Sequence, residues 1–277
     1  MDGSLFRLTA FTTDPAGGNP AGVWIGEHLP SQEEMQRIAA EIGFSETAFL
    51  RRADANEYTV RYFSPEAEVP FCGHATIASG VVLGTEHGTG TYAFETLAGR
   101  VSVSVAPTPR GMSAALTSVD TRHEIDPQPL VADVLDAIGW SRHDLDPAIP
   151  PARAFAGAWH LVIAAASRDR LARLDYDFDS LRQLMTASDL TTVQLVYRES
   201  DVVWHARNPF PVGGVVEDPA TGAAAAALGG YLRDSGLEMT PLSFTIHQGV
   251  DMGRPSVLEV DVPSVGGVVV SGTAVPL

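Results

Sequence analysis

The sequence predicts an α+β protein made of two similar halves, and three observations carry that prediction. Residues 61–83 read RYFSPEAEVPFCGHATIASGVVL, and residues 207–232 read RNPFPVGGVVEDPATGAAAAALGGYL. In each, an Arg is followed four residues later by a Pro, then by a polar turn, an Ala-Thr pair and a small-residue helix. Arg61 and Pro65 align with Arg207 and Pro211, and with a one-residue slip Ala75-Thr76 aligns with Ala220-Thr221. One half-domain therefore occurs twice. Second, the pattern shows many short strands and few helices without regular βαβ alternation. Third, 277 residues with 45% hydrophobic and 19% charged content, and no low-complexity tract, suffice for one large core or two ordinary ones.

The elements follow in order. Residues 5–11 alternate as a strand, TTDPAGGNP at 12–20 is a turn cluster, and 21–25 resume a strand. Ser31 caps a helix through Met35, Ile38, Ala39 and Ile42, with Glu34 completing a capping box and Gly43 ending it. Strands are expected at 44–50 and 58–63, a helix at 75–83, a hairpin at 92–96 and 100–106, and a strand at 112–116. The second half has a helix at 131–138, a strand at 159–164, a helix at 179–188, strands at 192–197 and 201–206, and the small-residue helix at 221–232. Strands at 243–247, 257–262 and 268–272 close the chain. Pro107 and Pro109 mark a boundary, so the expected halves are 1–108, completed by a C-terminal strand over 266–277, and 109–265.

Composition removes several function classes. A formal charge of −16, with no Arg cluster interleaved with aromatics, repels polyanions and argues against nucleic acid as a partner. All 18 basic residues are Arg, so neither a Schiff-base lysine nor a P-loop lysine exists. A single Cys, Cys72, excludes an internal disulfide and a Cys-rich metal site. The other histidines show no HxxxH or HxH spacing, which argues against a protein-ligated metal. There is no GxSxG elbow, and the loose GxGxxA at 88–93 precedes a strand where a dinucleotide fingerprint would open a helix. Residues 222–232 are too few to span a bilayer, and the N-terminal sequence lacks a secretory pattern, so no membrane association and a cytoplasmic location are expected.

Three side chains stand out. Glu46 lies among Phe44, Ala48 and Phe49, where lost solvation would suit a carboxylate to proton exchange near neutral pH. Strand alternation alone would instead turn it to solvent. His74 stands at a helix start, where a neutral imidazole can donate to or accept from a substrate, or simply cap the helix or sit satisfied in the core. In the second copy the matching region holds Asp218, a polar site residue or merely an N-cap for the helix at Thr221. Cys72 is either an acidified thiol beside a helix start or a small buried hydrophobe. Two helix starts facing each other would suit a small anion.

Taken in order, GGNPAGV (17–23), FSETAF (44–49), RYFSPEAEVPFCGHAT (61–76) and EDPATGAA (217–224) resemble the PhzF-like isomerase family of phenazine biosynthesis, over essentially the full chain. The resemblance implies the diaminopimelate-epimerase-like fold: two pseudo-symmetric halves, each a curled sheet around a central helix, with a cleft between them. It implies Glu46 as general acid/base, His74 and Asp218 as substrate-binding groups that assist proton movement, and Asn19, Ser45, Gly73, Thr221, Gly222 and Ala223 in the segments lining the cleft. It also implies no cofactor or metal, and a homodimer. Two departures matter. Ala223 stands where the family commonly has Ser in DPATGSA, and Pro209 where it commonly has Phe, so the phenazine substrate itself is not implied. Cys72 stands about where related epimerases carry one of two catalytic thiols, and there is no second Cys. The expected function is a cofactor-independent isomerase acting on a small, unsaturated, carboxylate-bearing metabolite. The alternatives are an epimerase of amino-acid-like substrates and a non-catalytic ligand-binding protein.

Overall fold

The computed structural model describes residues 3–277. The chain begins with β1 (Gly3–Ala10), β2 (Asn19–Gly26), α1 (Gln32–Ile42), β3 (Glu46–Asp54), β4 (Glu57–Phe63), β5 (Glu68–Val69), α2 (Gly73–His87), β6 (Gly90–Thr96), β7 (Gly99–Thr108) and β8 (Gly111–Thr117). It continues with β9 (Arg122–Ile125), α3 (Leu130–Ala137), β10 (Ala152–Phe155), β11 (Trp159–Ala164), α4 (Arg168–Ala172), α5 (Phe178–Ala187) and β12 (Thr192–Arg198). Then come β13 (Val203–Phe210), β14 (Val215–Asp218), α6 (Gly222–Asp234), β15 (Leu242–Gln248), β16 (Ser256–Val262) and β17 (Val269–Pro276). No helix among the described residues is long and apolar enough to cross a membrane.

The chain forms two units, one running to Thr117 with Ser271–Leu277 added, the other Ser118–Val270. The boundary expected between 108 and 109 falls in the turn of the β7–β8 hairpin, where Thr108 faces Gly111. The strand β8 stays with the first unit because it pairs with β17, and Ser113 Oγ donates to Gly272 O. The C-terminal contribution accordingly begins at Ser271, later than the expected 266.

In the first unit, pairings run β1–β2–β3–β4–β6–β7–β8, and β17 joins β8 back to β1. The ring encloses α2, which packs on β1, β2, β3, β7 and β8 and is buried from His74 through Gly84. Small residues let the sheet approach: a Cβ on Gly80 would lie 2.8 Å from both Ala114 Cβ and Val103 Cγ1. The β2–β3 crossover is parallel and carries α1, whose Met35, Ile38 and Ala39 pack with Trp24, Phe49 and Phe63. Ser31 caps α1 by accepting from Glu34 N, and Gly43 ends it in the left-handed region. The expected capping box is half made: the Glu34 carboxylate turns to Arg37, one turn along, which holds its pKa below the ordinary value.

In the second unit the order is β9–β10–β11–β12–β13–β15–β16. Its sheet curls around α6, which packs on β9, β10, β11 and β16 and is almost wholly buried. Gly229 serves as Gly80 does, since a Cβ there would meet Val262 Cγ2 at 2.8 Å. The parallel β11–β12 crossover carries α4 and α5, and α3 and α5 seal the outer face through Val131, Val134, Leu181 and Met185. Each unit is thus a curled sheet around a central helix, the α+β architecture the sequence predicts.

Candidate active site

In the first unit, three chain segments converge on the start of α2. Asn19 opens β2, Ser45 and Glu46 stand at the entry to β3, and the parallel register sets Ala21 opposite Glu46. Cys72 is the N-cap of α2, Gly73 its first residue and His74 its second. The His74 imidazole is the hub. Asn19 Nδ2 lies 3.3 Å from Nδ1; Ser45 Oγ and Glu46 Oε2 lie 3.2 and 3.4 Å from Nε2. With the Asn19 amide donating to Nδ1, the proton of the neutral ring sits on Nε2, facing the Ser45 hydroxyl and the Glu46 carboxylate. Cys72 Sγ adds a contact at 3.4 Å to Nδ1.

Burial sorts the readings left open by the sequence. Glu46 is 19% exposed, so it is not turned out to solvent by strand alternation, and His74, at 8%, is buried among polar partners. Cys72 is buried, and it touches the imidazole instead of packing only among hydrophobes. Apart from its chain neighbours and its own helix, nothing lies within 4 Å of the Cβ position of Gly73, so the first residue of α2 adjoins open space.

The second unit has its own polar turn. Asp218 ends β14, and its Oδ2 accepts from Thr221 Oγ1 at 2.5 Å. Thr221, not Asp218, is the N-cap of α6, with Gly222 its first residue and Ala223 next. Gln248, at the end of β15, clamps this turn: its Nε2 donates to Asp218 O at 2.8 Å and to Thr221 Oγ1 at 2.9 Å, and its Oε1 accepts from Thr221 N at 3.1 Å. Sequence reasoning missed Gln248, since a Gln ending a strand carries no signal of its own.

Register also corrects the alignment of the two copies. Tyr62 faces Val69 on β4–β5, and Asn208 faces Asp218 on β13–β14. The preceding Arg61 and Arg207 pair with Glu68 and Glu217 across the same strands. By this register, Val69 answers to Asp218, and the N-caps Cys72 and Thr221 answer to each other. Gly73 then matches Gly222, and His74 matches Ala223. His74 and the Asp218 region are therefore not counterparts, as the sequence reading had them. Each copy places its polar group where the other is apolar.

Comparison with known proteins bears on this arrangement. Residues 8–277 match the PhzC-PhzF family model, described as phenazine biosynthesis-like protein. The chain is 32% identical to the uncharacterized isomerase YddE of Salmonella typhimurium over 279 residues, covering 95% of this chain and 91% of that one. Its fold matches the PhzF-family phenazine biosynthesis protein of Bacillus anthracis with a TM-score of 0.88, at 23% identity and over 100% and 98% of the two chains. It matches a predicted epimerase of Pseudomonas aeruginosa with a TM-score of 0.85, at 25% identity and over 99% and 96%. The sequence motifs, the curled-sheet units and these likenesses agree: the chain belongs to the phenazine-biosynthesis-like PhzC/PhzF family and is an isomerase.

Proposed function

We propose that the protein moves a proton between carbons of a small, unsaturated, carboxylate-bearing metabolite, with Glu46 as the general acid/base. The observation that carries this reading is the pairing of a partly exposed Glu46 carboxylate with His74 Nε2 at 3.4 Å, beside the open helix start at Gly73. Glu46 takes a proton from an activated C–H. The bonding pair enters the conjugated system, and the protonated Glu46 returns the proton at a conjugated carbon. His74, held by Asn19 and Ser45, donates from Nε2 to the developing enolate-like charge, and the α2 amides bind the carboxylate. The family resemblance further assigns substrate binding to Asp218 and the Thr221–Ala223 segment. No cofactor enters this scheme.

Dihydro-hydroxyanthranilate-like compounds and unsaturated proline derivatives have the required chemistry. Ala223 lacks the hydroxyl that the family's usual Ser would offer, which favours a substrate other than the phenazine precursor. The family resemblance further supports a homodimer, which light scattering tests. The test of the chemistry is turnover in deuterated water. Deuterium at a new carbon with a shifted double bond is expected, and it should vanish in Glu46→Gln. Full turnover by that variant would refute the reading.

An epimerase is the second reading, favoured by the Cys72 thiol 3.4 Å from the same imidazole and by the likeness to a predicted epimerase. In the same experiment it would leave deuterium at the original carbon with inverted configuration.

A further inference from the structure

The polar turn of the second unit is held from behind as well as by Gln248. Directly after Gln248 the chain makes a compact loop, 249–254, in which Gly249 and Gly253 are left-handed and Gly249 O accepts from Met252 N and Arg254 N. A Cβ on Gly249 would lie 2.2 Å from Arg254 O and 2.9 Å from Pro219 O, so only glycine fits, and the loop lies against the peptide that follows Asp218. At the tip of the loop, both carboxylate oxygens of Asp251 accept from Arg168 Nη2, at 3.0 and 2.9 Å.

Arg168 opens α4, which Ser167 caps by accepting from Arg170 N. The other end of α4 and the chain just beyond it reach the same turn from the front. Ala172 O accepts from Arg207 Nη1 at 2.7 Å, Arg207 pairs with Glu217, the neighbour of Asp218, and Tyr176 OH donates to Val216 O at 2.6 Å. Residues 168–176 therefore grip the Asp218–Thr221 turn on both sides, through β14 before it and through the loop behind Gln248.

The two grips differ in kind. The front one belongs to the core, since Arg207 and Glu217 are buried. The rear one joins side chains that are 29% and 21% exposed, and an ion pair that solvent reaches adds little to the stability of a fold. The first copy shows the same position in another use. Arg61 and Arg207 are equivalent, Tyr58 faces Phe94 and Trp204 faces Ile246, so Thr96 answers to Gln248. Thr96 Oγ1 donates to Gly99 O within the β6–β7 hairpin, whereas Gln248 is directed at the turn that bears Asp218.

We propose that Arg168 is a positioning residue of the isomerase. Through Asp251 it fixes the loop 249–254, and with it Gln248 and the Asp218–Thr221 turn, in the geometry that receives substrate. Gln248 makes its bonds to Asp218 O, Thr221 Oγ1 and Thr221 N at once, and hydrogen bonds weaken steeply when misaligned, so the end of β15 must be held still. With the loop tethered, the turn is ordered before substrate arrives, and binding does not have to supply that order. The brace rests on contacts within the second unit, whereas its effect on turnover rests on the proposed binding role of Asp218 and Thr221.

Amide hydrogen exchange of the full chain reads the brace without substrate, because Thr221 N donates to Gln248 Oε1. Arg168→Ala and Asp251→Asn should each speed exchange at Thr221 by about 2–5-fold, the range that loss of a solvent-reached ion pair gives, while Leu228, buried in α6, keeps its rate. The double variant should exchange no faster than either single one. With a dihydro-hydroxyanthranilate as substrate, KM should rise by a similar factor at unchanged kcat, and Arg168→Lys, which keeps the charge, should recover part of the loss. Unchanged exchange at Thr221 in both single variants overturns the brace. So does faster exchange that extends to Leu228, which would mark a general loss of stability. Faster exchange confined to the turn, with KM unchanged, keeps the brace and refutes the binding role of the turn. A fall in kcat at unchanged KM overturns the positioning role, because the effect of Arg168 would then fall on proton transfer.

Discussion

The two copies of the repeated half-domain can be laid over each other residue by residue, and the places where they differ show how one frame serves two purposes. Phe49 faces Arg61 across β3–β4, and Leu195 faces Arg207 across β12–β13. Stepping back along the strands, Glu46 answers to Thr192, and the parallel partners Ala21 and His160 answer to each other. In the second copy this position is sealed. His160 Nδ1 bonds Thr192 Oγ1 at 2.8 Å, and Thr192 Oγ1 donates to Asn208 Oδ1 at 2.9 Å, all three buried. Burial pushes the His160 pKa down to about 3, so the ring stays neutral. In the first copy the same position holds a carboxylate with partial solvent access beside a histidine. A buried neutral cluster adds specificity to a core, while a half-open carboxylate can exchange protons.

The largest effect should separate these two positions. Glu46→Gln is expected to lower kcat by about 10²–10⁴-fold, the usual contribution of a general acid/base, with little change in denaturant midpoint. Thr192→Val should do the opposite, leaving turnover near wild type and costing about 1–3 kcal/mol of stability by stranding His160 and Asn208. Paired turnover and urea unfolding measurements on both variants check this, and loss of turnover in Thr192→Val would break the comparison.

The Arg–Glu pairs come next. Arg207 and Glu217 are 10% and 3% exposed, and Arg207 also donates to Ala172 O, so Arg207→Ala should cost about 3–5 kcal/mol by leaving a buried carboxylate alone. Arg61 and Glu68 are 25% and 16% exposed, and Arg61→Ala should cost about 1 kcal/mol or less. Equal losses in urea unfolding would show that the two pairs share one environment. Smaller than the Arg207 loss, Gln248→Ala should cost about 1–3 kcal/mol by unpairing Thr221 N and, with Asp218 and Thr221 in their proposed substrate-binding role, should raise KM more than it lowers kcat. A kcat loss matching that of Glu46→Gln would contradict that role.

The fold was legible wherever periodicity and punctuation had room to act. Ser31 and Gly43 bracket α1, and the Ala- and Gly-rich runs become the central helices because only small residues let the sheets close on them. The two-residue β5 and four-residue β9, β10 and β14 are too short to show a period, and all went unread. That gap also misaligned the copies. Matching Ala-Thr pairs by identity ignores β5 and β14, whose registers set the true equivalence of His74 with Ala223. Glu46 was legible as a carboxylate in apolar company. Its meeting with His74, Ser45 and Cys72 was not, because sheet register and helix placement bring them together, and neither can be read from spacing along the chain.

The smallest effect near neutral pH, and the one that isolates the sealed copy, is the titration of His160. Its folded-state pKa of about 3 lies below the ordinary histidine value of 6.5, so between these limits the unfolded chain binds a proton that the folded chain refuses. Stability contributed by the neutral ring is therefore complete above pH 6.5 and is lost as pH falls toward 3, at up to about 1.4 kcal/mol per pH unit. His160→Gln keeps a hydrogen-bonding group and cannot be protonated, so its unfolding free energy should fall less steeply across this window, by about that slope. Urea unfolding of both proteins from mildly acid to neutral pH measures the difference. Parallel curves would mean that His160 takes up its proton without opening the core, and the second copy would then be no more sealed than the first.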